Sequence, residues 1–266
     1  MILFLTNLPL WLSAFLLIIP TSLIAMSGPF VTRRYVELSR LRTNNEVAGF
    51  KFATVGVLYA VLLAFAVVVV WEKFNVADSQ VAKEAGAAST IFLLTRGIDE
   101  KHGEAIREAT TEYLNAAITK DWPAMARETD SPDATKALND IYRAVLKFHA
   151  FSGDEAIVIG EILRQVDRIS DARRERLVSA DGITPGVIWA VLSAGAVVTI
   201  GFTFFFGTEN LRAQALMTGA LSVMIFAGLW TIVAIDHPFA GAVKVGPDAL
   251  TAVLADFTDA PGHHHP

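Results

Sequence analysis

Four long stretches without a charged residue dominate the hydrophobicity pattern of this chain. They cover Met1–Thr32, Phe52–Trp71, Pro185–Phe206 and Ala215–Ile235, and charged or turn-forming residues flank them. A helix of about twenty residues rises about 30 Å, which is the thickness of the hydrocarbon core of a bilayer. The pattern therefore predicts an all-α membrane protein with four transmembrane helices, a multi-pass protein in a cell membrane of the bacterial inner-membrane type.

The first stretch also has some features of a secretory signal peptide. Leu23-Ile24-Ala25 forms a tolerable cleavage site, but no Lys or Arg precedes the apolar run, which is longer than the apolar region of a signal. We therefore expect a retained first helix. Pro20 is expected to kink this helix or to end its regular part, because proline removes a backbone hydrogen-bond donor.

The segment 72–184 has a different pattern, and 35 of the 49 charged residues lie between Glu72 and Asp181. Its apolar residues recur every three or four positions, as they do on one face of a helix. The two clearest stripes are Leu138, Ile141, Val145, Phe148 and Ile159, Ile162, Val166, Ile169. We predict a helical extramembrane domain of about four helices, inserted between the second and third transmembrane helices and packed as an antiparallel bundle.

Capping and breaking residues divide this domain into helices. Ser131-Pro132-Asp133 reads as a helix start with proline in the first turn, and Ser152-Gly153-Asp154 as a second start. Gly97 is expected to close the segment that continues from the second transmembrane helix. Trp122-Pro123 is expected to close the next one, because proline cannot continue a helix.

The predicted organisation has four parts. They are 1–71, the first transmembrane pair with its basic connecting loop; 72–184, the helical extramembrane bundle; 185–241, the second transmembrane pair; and 242–266, a C-terminal segment with a flexible His-containing tail. Asp236-His237-Pro238 ends the last transmembrane helix. The adjacent His263, His264 and His265 suit a solvated tail better than a metal site.

Basic residues give two conflicting indications of orientation in the membrane. The loop between the first two helices contains Arg33, Arg34, Arg40, Arg42 and Lys51. Five basic residues in a short loop favour the cytoplasmic side for that loop and the opposite side for the middle segment. Four more, on the opposite side, precede the third helix: Arg168, Arg173, Arg174 and Arg176. The charge pattern therefore leaves the orientation open.

The second transmembrane helix has two distinct faces on a helical wheel. One carries small residues, namely Ala53, Gly56, Ala60 and Ala64, and predicts close packing of another helix. The opposite face carries Lys51, Val55, Leu58, Leu62, Phe65 and Val69. These larger residues either contact lipid or line a pore that closes by dewetting, with Lys51 drawing anions into its mouth.

Asp236 stands at the C-terminal end of the fourth transmembrane helix, where the helix dipole disfavours a carboxylate. One hypothesis is that it pairs with a basic residue at the same side of the membrane and ties this helix to the middle domain. The candidate partners are Lys73, Arg173, Arg174 and Arg176. The alternative is an interfacial carboxylate in water without a partner.

Several classes of function find no support. The second, third and fourth stretches contain no ionisable side chain, whereas pumps and ion-coupled transporters normally need one inside the membrane. The chain has no cysteine, and its histidines have no metal-ligand spacing, so no metal or cofactor is predicted. No catalytic motif indicates an enzyme. No basic patch interleaved with aromatic residues indicates nucleic acid binding.

Five short segments carry a further signal: Asn45–Phe50, Gly56–Phe65, Val70–Glu72, Arg173–Leu177 and Asp236–Gly241. Together they resemble the bestrophin-like family of uncharacterised bacterial and plant membrane proteins. The resemblance extends from about Met1 to Phe257 and covers nearly the whole chain. It is specific for membership of the family and weak for an activity, because most of the family has no assigned function.

The family name points to the bestrophins, pentameric anion channels whose second helix lines the pore and runs on into a helical cytosolic domain. By this resemblance Leu58, Leu62, Phe65 and Val69 match the pore stripe, and Trp71–Phe74 matches the aromatic exit of the helix. The acidic calcium clasp of bestrophins is not recognisable. The resemblance implies a homo-oligomer in a lipid bilayer that conducts small anions; the alternative is a non-conducting scaffold or sensor whose helical domain binds a protein.

Overall fold

The computed structural model of the chain describes residues 8–43, 45–147, 153–182 and 184–259, and every regular element in these ranges is helical. The α-helices are α1 Leu10–Tyr35, α2 Leu38–Thr43, α3 Asn45–Leu94, α4 Glu100–Ala116, α5 Trp122–Met125, α6 Pro132–Leu146, α7 Gly153–Ala180, α8 Gly186–Thr203, α9 Leu211–Ile235 and α10 Asp248–Asp259. A 3-10 turn over Thr95–Gly97 follows α3, and a π-helical segment over Ala117–Asp121 joins α4 to α5. The predicted all-α class is confirmed.

Helices α1, α3, α8 and α9 are long and apolar enough to cross a membrane, and among the described residues they are the only such helices. This confirms the four predicted transmembrane helices. Helix α1 continues through both Pro20 and Pro29, so Pro20 does not end it. Helix α3 is a single helix of 50 residues and continues well beyond its uncharged part.

The chain divides into two compact units by its internal contacts. Within the described residues, the membrane unit contains 8–72, 184–237 and 241–243, and the extramembrane unit contains 73–182, 238–240 and 244–259. These units differ from the predicted four-part division chiefly at the C-terminal segment, most of which belongs to the extramembrane unit.

In the membrane unit, α9 packs against both α1 and α8. Trp230 Nε1 donates a hydrogen bond to Ser13 Oγ over 3.1 Å, which joins α9 to α1. The hydroxyl oxygens of Thr203 and Thr218 lie 3.1 Å apart and join α8 to α9. Such polar contacts hold helices together where lipid removes the hydrophobic driving force.

The two connectors of the membrane unit are also bonded to each other. The side chain of Asn45 donates to Gly207 O over 2.8 Å and accepts from Gly207 N over 2.9 Å. Arg42 pairs with Glu209 over 2.8 Å, and Arg33 donates to Thr208 O over 2.9 Å. The basic loop that the sequence analysis singled out is therefore fixed to the short turn between α8 and α9.

The extramembrane unit is a helical bundle around one apolar core. Most of its buried residues come from the second half of α3 and from α4, α6 and α7, and include Ala77, Val81, Ala88, Ile91, Ile106, Leu114, Leu138, Ile141, Val145, Ile162, Val166 and Ile169. The two predicted apolar stripes supply half of this set. Phe148, which was assigned to the first stripe, lies outside the described residues.

Two caps begin helices of this unit. The Asp99 carboxylate accepts from the backbone N–H of His102 over 3.3 Å and begins α4. Ser131 Oγ accepts from Ala134 N over 3.4 Å and begins α6, as predicted. Helix α7 begins at Gly153, and Ser152, the predicted cap, lies outside the described residues.

The chain does not break at Trp122-Pro123, contrary to the prediction. It continues from α4 through the π-helical segment into α5. Pro123 cannot donate to the carbonyl four residues before it, and its ring would clash with that carbonyl in a regular helix. The wider π turn accommodates the proline without ending the helical path.

The C-terminal segment contains a helix that the sequence analysis did not predict. Helix α10 buries Leu250 and Phe257, and the Phe257 ring stacks on Phe92 with 4.0 Å between centroids. Leu250, Val253, Leu254 and Phe257 recur at helical spacing, which was a usable signal. The predicted flexible tail at 261–266 lies outside the described residues.

Candidate functional site

The candidate pore face of α3 is exposed in the single chain. Leu58, Leu62, Phe65 and Val69 expose 61%, 50%, 66% and 47% of their surface. Lys51 is exposed as well, and Val55 is half-buried. Large apolar side chains on the outside of a membrane unit meet either lipid or another copy of the chain, or they line a passage.

A different face of α3 packs inside the membrane unit. Tyr59 and Val70 are 5% and 3% exposed. The Tyr59 ring lies against Gly195 of α8, where an added Cβ would come within 2.5 Å of it. Leu63 lies against Gly228 of α9 in the same way, at 2.7 Å. These close approaches fix which way α3 turns its exposed face.

The small-residue face of α3 is not the face that packs within the chain. Ala53, Ala60 and Ala64 are exposed, and Gly56 is half-buried with open space where a Cβ would be. The small residues that allow close approach belong instead to the partner helices, at Gly195 and Gly228. Close packing on the alanine face thus stays a prediction, which now concerns contacts between copies.

The partners of the candidate ion-pair residues are not those that the sequence analysis expected. Asp236 is 2% exposed, and its carboxylate accepts from the backbone N–H of Thr184 over 2.9 Å and lies 3.5 Å from His237 Nδ1. A backbone amide therefore bonds this carboxylate, where the sequence analysis offered basic side chains. Lys73 is exposed, and Arg174 is exposed and 3.6 Å from Asp171, one turn away on α7.

The other two candidates, Arg173 and Arg176, belong to a buried ion-pair network inside the extramembrane unit. Arg176 Nε and Nη2 donate to the carboxylate of Glu84 over 2.9 and 3.1 Å. Arg173 Nε donates to Asp121 Oδ2 over 2.7 Å, and Arg176 Nη2 donates to the same oxygen over 3.3 Å. Asp121 therefore bridges the two arginines, and α3, α7 and the π-helical segment meet at this network.

Tyr113 completes the network by donating from its hydroxyl to Glu84 Oε1 over 2.6 Å. Burial raises the pKa of Tyr113 well above its usual value, and the Glu84 carboxylate raises it further. Burial lowers the pKa of the Arg176 guanidinium, but the charges of Glu84, Tyr113 and Asp121 and the hydrogen bond to Glu84 together outweigh that effect, and the net pKa is raised. Burial also lowers the pKa of Arg173, but the hydrogen bond to Asp121 and the charges of Asp121 and Tyr113 together outweigh that effect and raise it. Both arginines stay charged while buried.

Trp122 connects the network to the chain that follows α9. The Arg176 guanidinium lies 4.4 Å from the centroid of the Trp122 ring, a cation–π contact. The same ring meets Phe239 edge to face at 5.9 Å, and Trp122 Nε1 donates to Val245 O over 3.1 Å. The proline-accommodating π segment thus places Asp121 and Trp122 on either side of one arginine.

The sequence analysis did not find this network, although a signal existed. The apolar stripe Ile162, Val166, Ile169 continues at the same spacing through Arg173 and Arg176. A charged residue at a core position of a helix implies a buried partner, since unpaired buried charges are very costly. Within the described residues no group of three or more His, Asp or Glu side chains is arranged to hold a metal ion.

Comparison with known protein families and structures gives a family match and a fold. The family model described as Bestrophin-like domain matches residues 19–250. A crystal structure of a bacterial bestrophin homolog from Klebsiella pneumoniae, solved by Zn-SAD phasing, is 17% identical and covers 94% of this chain and 100% of its own, with a TM-score of 0.68. No curated protein matches the sequence.

Two further solved structures are similar over the same extent. A single-residue variant of a Klebsiella pneumoniae bestrophin homolog is 15% identical and covers 91% of this chain and 99% of its own, with a TM-score of 0.69. A structure described as a membrane protein variant is 18% identical and covers 93% and 100%, with a TM-score of 0.67. At these identities the likeness shows a shared fold.

Proposed function

Because this chain belongs to the Bestrophin-like family, we propose that it assembles as a homo-oligomer in the bilayer around a passive pore for small anions. The exposed apolar face of α3, made by Val55, Leu58, Leu62, Phe65 and Val69, lines this pore. A hydrophobic constriction of this kind gates by dewetting and needs no ionisable group inside the membrane. The second, third and fourth uncharged stretches contain none.

The observation that carries the proposal is the fixed rotation of α3. Its inner face is locked by Tyr59 against Gly195 and by Leu63 against Gly228. Every copy of the chain therefore presents the same exposed apolar stripe. In a closed ring of identical subunits the same patch recurs around the symmetry axis.

The preference for anions rests on Lys51, the first residue of the stripe. It is exposed and follows Asn45, which is bonded to the turn between α8 and α9. A ring of ammonium groups at the mouth of a pore attracts anions and repels cations. No acidic residue lies on the apolar part of the helix, 52–71.

Oligomeric state and ion flux test this proposal together. In a mild detergent we expect a ring of about five subunits by native mass, and reconstituted liposomes should release chloride down its gradient. A folded oligomer without flux would contradict the channel and favour a scaffold or sensor. Exposed Leu146 and Ile157 on the extramembrane unit would then be the first surface to examine for a protein partner.

Cysteine accessibility tests which face of α3 meets water, because the natural chain has no cysteine. Phe65→Cys is expected to react with a charged, membrane-impermeant thiol reagent in reconstituted protein. Val57→Cys is the control, since Val57 is equally exposed in the single chain (64% against 66%) but points away from the stripe. Modification of Val57→Cys with protection of Phe65→Cys would place the stripe against lipid and remove the pore assignment.

A further inference from the structure

Among the described residues, four buried hydroxyl groups on the membrane helices have no hydrogen-bond partner from the protein. Each of the membrane helices supplies one: Ser22 of α1, Tyr59 of α3, Thr199 of α8 and Ser222 of α9. They are 4%, 5%, 2% and 0% exposed. A buried hydroxyl without a partner is costly, and other buried hydroxyls of these helices avoid the cost by bonding a backbone carbonyl, as Thr203 does with Ile200 O.

The packing register brings Thr199 and Ser222 together. Helices α8 and α9 are joined at Thr203 and Thr218. Thr199 comes one helical turn before Thr203, and Ser222 comes one turn after Thr218. Because the two helices run in opposite directions, these two steps lead to the same level. Both residues are on the buried faces of their helices.

The register of α1 and α9 brings Ser22 to the same level. Trp230 bonds Ser13 near one end of this pair, and Gly219 faces Met26 further along. Ser22 lies one turn before Met26, and Ser222 lies nearly one turn after Gly219. Two independent contacts therefore place the two serines at the same level of the helix pair.

Tyr59 approaches the same region from α3. Its ring lies against Gly195, which is one turn from Thr199 on the same side of α8. Long side chains of a helix lean towards its N-terminus. Phe52, which precedes Tyr59 on α3, contacts Phe202, which follows Gly195 on α8, so the two helices run in opposite directions. The lean of Tyr59 towards Phe52 therefore carries its hydroxyl from the level of Gly195 towards the level of Thr199.

We propose that these four hydroxyls form a site for an internal water molecule that cross-links the four membrane helices. None of the four hydroxyls bonds another directly, and each can both donate and accept, so a bridging molecule that can also do both suits them. Water meets this requirement and is held in proteins by two to four polar partners. A hydroxyl site of neutral oxygens suits water better than an anion, because no cationic group lies among them.

The sign of a stability change tests the proposal, and the test does not depend on conduction. Ser222→Ala and Thr199→Val remove one hydroxyl each and keep the side-chain size close to that of the parent. If water bridges the site, each change lowers the apparent thermal unfolding midpoint of the detergent-purified protein by several degrees. The double variant should lose less than the sum of the two losses, because the water is already gone in either single variant.

A hydroxyl that truly lacks a partner behaves in the opposite way. Replacing it by an apolar group then leaves the midpoint unchanged or raises it, and either result overturns the proposal, as do additive losses. Thr54→Val is the matched control, since its hydroxyl is exposed and bonds its own helix; its midpoint should stay at the wild-type value.

Two measurements on the wild-type protein complete the test. A high-resolution map should contain a density peak within about 3.2 Å of both Thr199 Oγ1 and Ser222 Oγ. The unfolding midpoint should be the same in sodium chloride and choline chloride at equal ionic strength. The absence of a peak, or a midpoint that depends on sodium, would overturn the assignment to water; the map decides alone if the variants do not fold.

Discussion

Arg176 and Glu84 are both fully buried, and their side chains are 2.9 Å apart. The substitution Arg176→Met keeps a long side chain against Trp122 but leaves Glu84 buried without its main counter-charge. Breaking a buried ion pair in this way costs about 3–5 kcal/mol of unfolding free energy. We expect a large fall in the thermal unfolding midpoint of the purified protein.

A neighbouring arginine provides the control for this substitution. Arg174 is exposed, and its contact with Asp171 is long, at 3.6 Å. Arg174→Met should therefore change the unfolding free energy by less than about 0.5 kcal/mol. Equal losses in the two variants would mean that the network does not stabilise the extramembrane unit beyond an ordinary surface contact.

The hydroxyl of Tyr142 donates to Asp167 Oδ1 over 2.7 Å. Burial and this hydrogen bond raise the pKa of Tyr142 to about 12. The folded protein therefore keeps the proton at pH values where the unfolded chain, with a tyrosine pKa of about 10, has lost it. The stability from this group is complete below about pH 10 and is lost as the pH rises towards 12.

Ultraviolet titration of tyrosinate checks this expectation. The wild-type curve minus the Tyr142→Phe curve should contain one step near pH 12. A step near the usual tyrosine pKa would contradict the hydrogen bond to Asp167.

At the residue scale, the sequence predicted Ser131 as a cap correctly, but the backbone amide that bonds Asp236 was not among the candidate partners. A cap depends on neighbours within three positions, which the sequence displays directly. The partners of Arg176 and Asp236 are 92 and 52 residues away in the chain, and only the folded structure brings them together. One sequence cannot rank several basic residues as partners of one carboxylate.

At the element scale, glycines on α8 and α9 determine how closely α3 approaches these two helices. Gly195→Ala would place a methyl group 2.5 Å from the Tyr59 ring, and the ring cannot withdraw from a packed interior without moving a helix. Overpacking of this kind typically costs about 1–3 kcal/mol. We expect a lower unfolding midpoint and a smaller fraction of monodisperse protein after purification.

Gly201 supplies the matched control on the same helix. An added Cβ at Gly201 meets no atom within 4 Å, so Gly201→Ala should leave the midpoint unchanged or raise it slightly through its better helix propensity. A loss as large as that of Gly195→Ala would show that α8 tolerates no added side chain, and would remove the specific role of the Tyr59 contact.

The bounds of the long helices followed from hydrophobicity and length, but their faces did not. The small residues of α3 suggested an inner face, whereas the structure places Tyr59 and Leu63 inwards against glycines of other helices, and Phe52 against the ring of Phe206. A helical wheel describes one helix, whereas close packing of two helices depends on which of them carries the small residues at the contact. The π segment before Pro123 escaped prediction for a related reason, since its position depends on the packing of Asp121 and Trp122.

For the whole molecule, the proposed pore makes a prediction about charge selectivity. Lys51→Glu would replace a ring of positive charges at the mouth by a ring of negative ones. We expect the reversal potential under a potassium chloride gradient to move towards the potassium equilibrium value.

Arg34→Glu makes the same charge change at an exposed residue at the end of α1, outside the stripe. It should leave the reversal potential close to that of the wild-type protein. Equal shifts in the two variants would indicate a general surface potential and not a charge on the conduction path.

The architecture of the whole chain was the part that the sequence predicted best. Four uncharged stretches and an intervening charged segment correspond to the four membrane helices and the helical extramembrane unit. Helix α10 was not predicted, although Leu250, Val253 and Phe257 recur at helical spacing. How copies of the chain assemble lies beyond the pattern of any single chain, because it depends on surfaces that have no partner within it.

The two hydrogen bonds between the Asn45 amide and the backbone of Gly207 have a consequence for the response of the protein to salt concentration. Neutral amides are not screened by electrolyte, whereas the neighbouring Arg42–Glu209 pair is exposed and weakens as salt concentration rises. The position of Lys51, less than two turns along the same helix, should therefore be the same at high and at low salt concentration. Only the reach of its electric field would shorten.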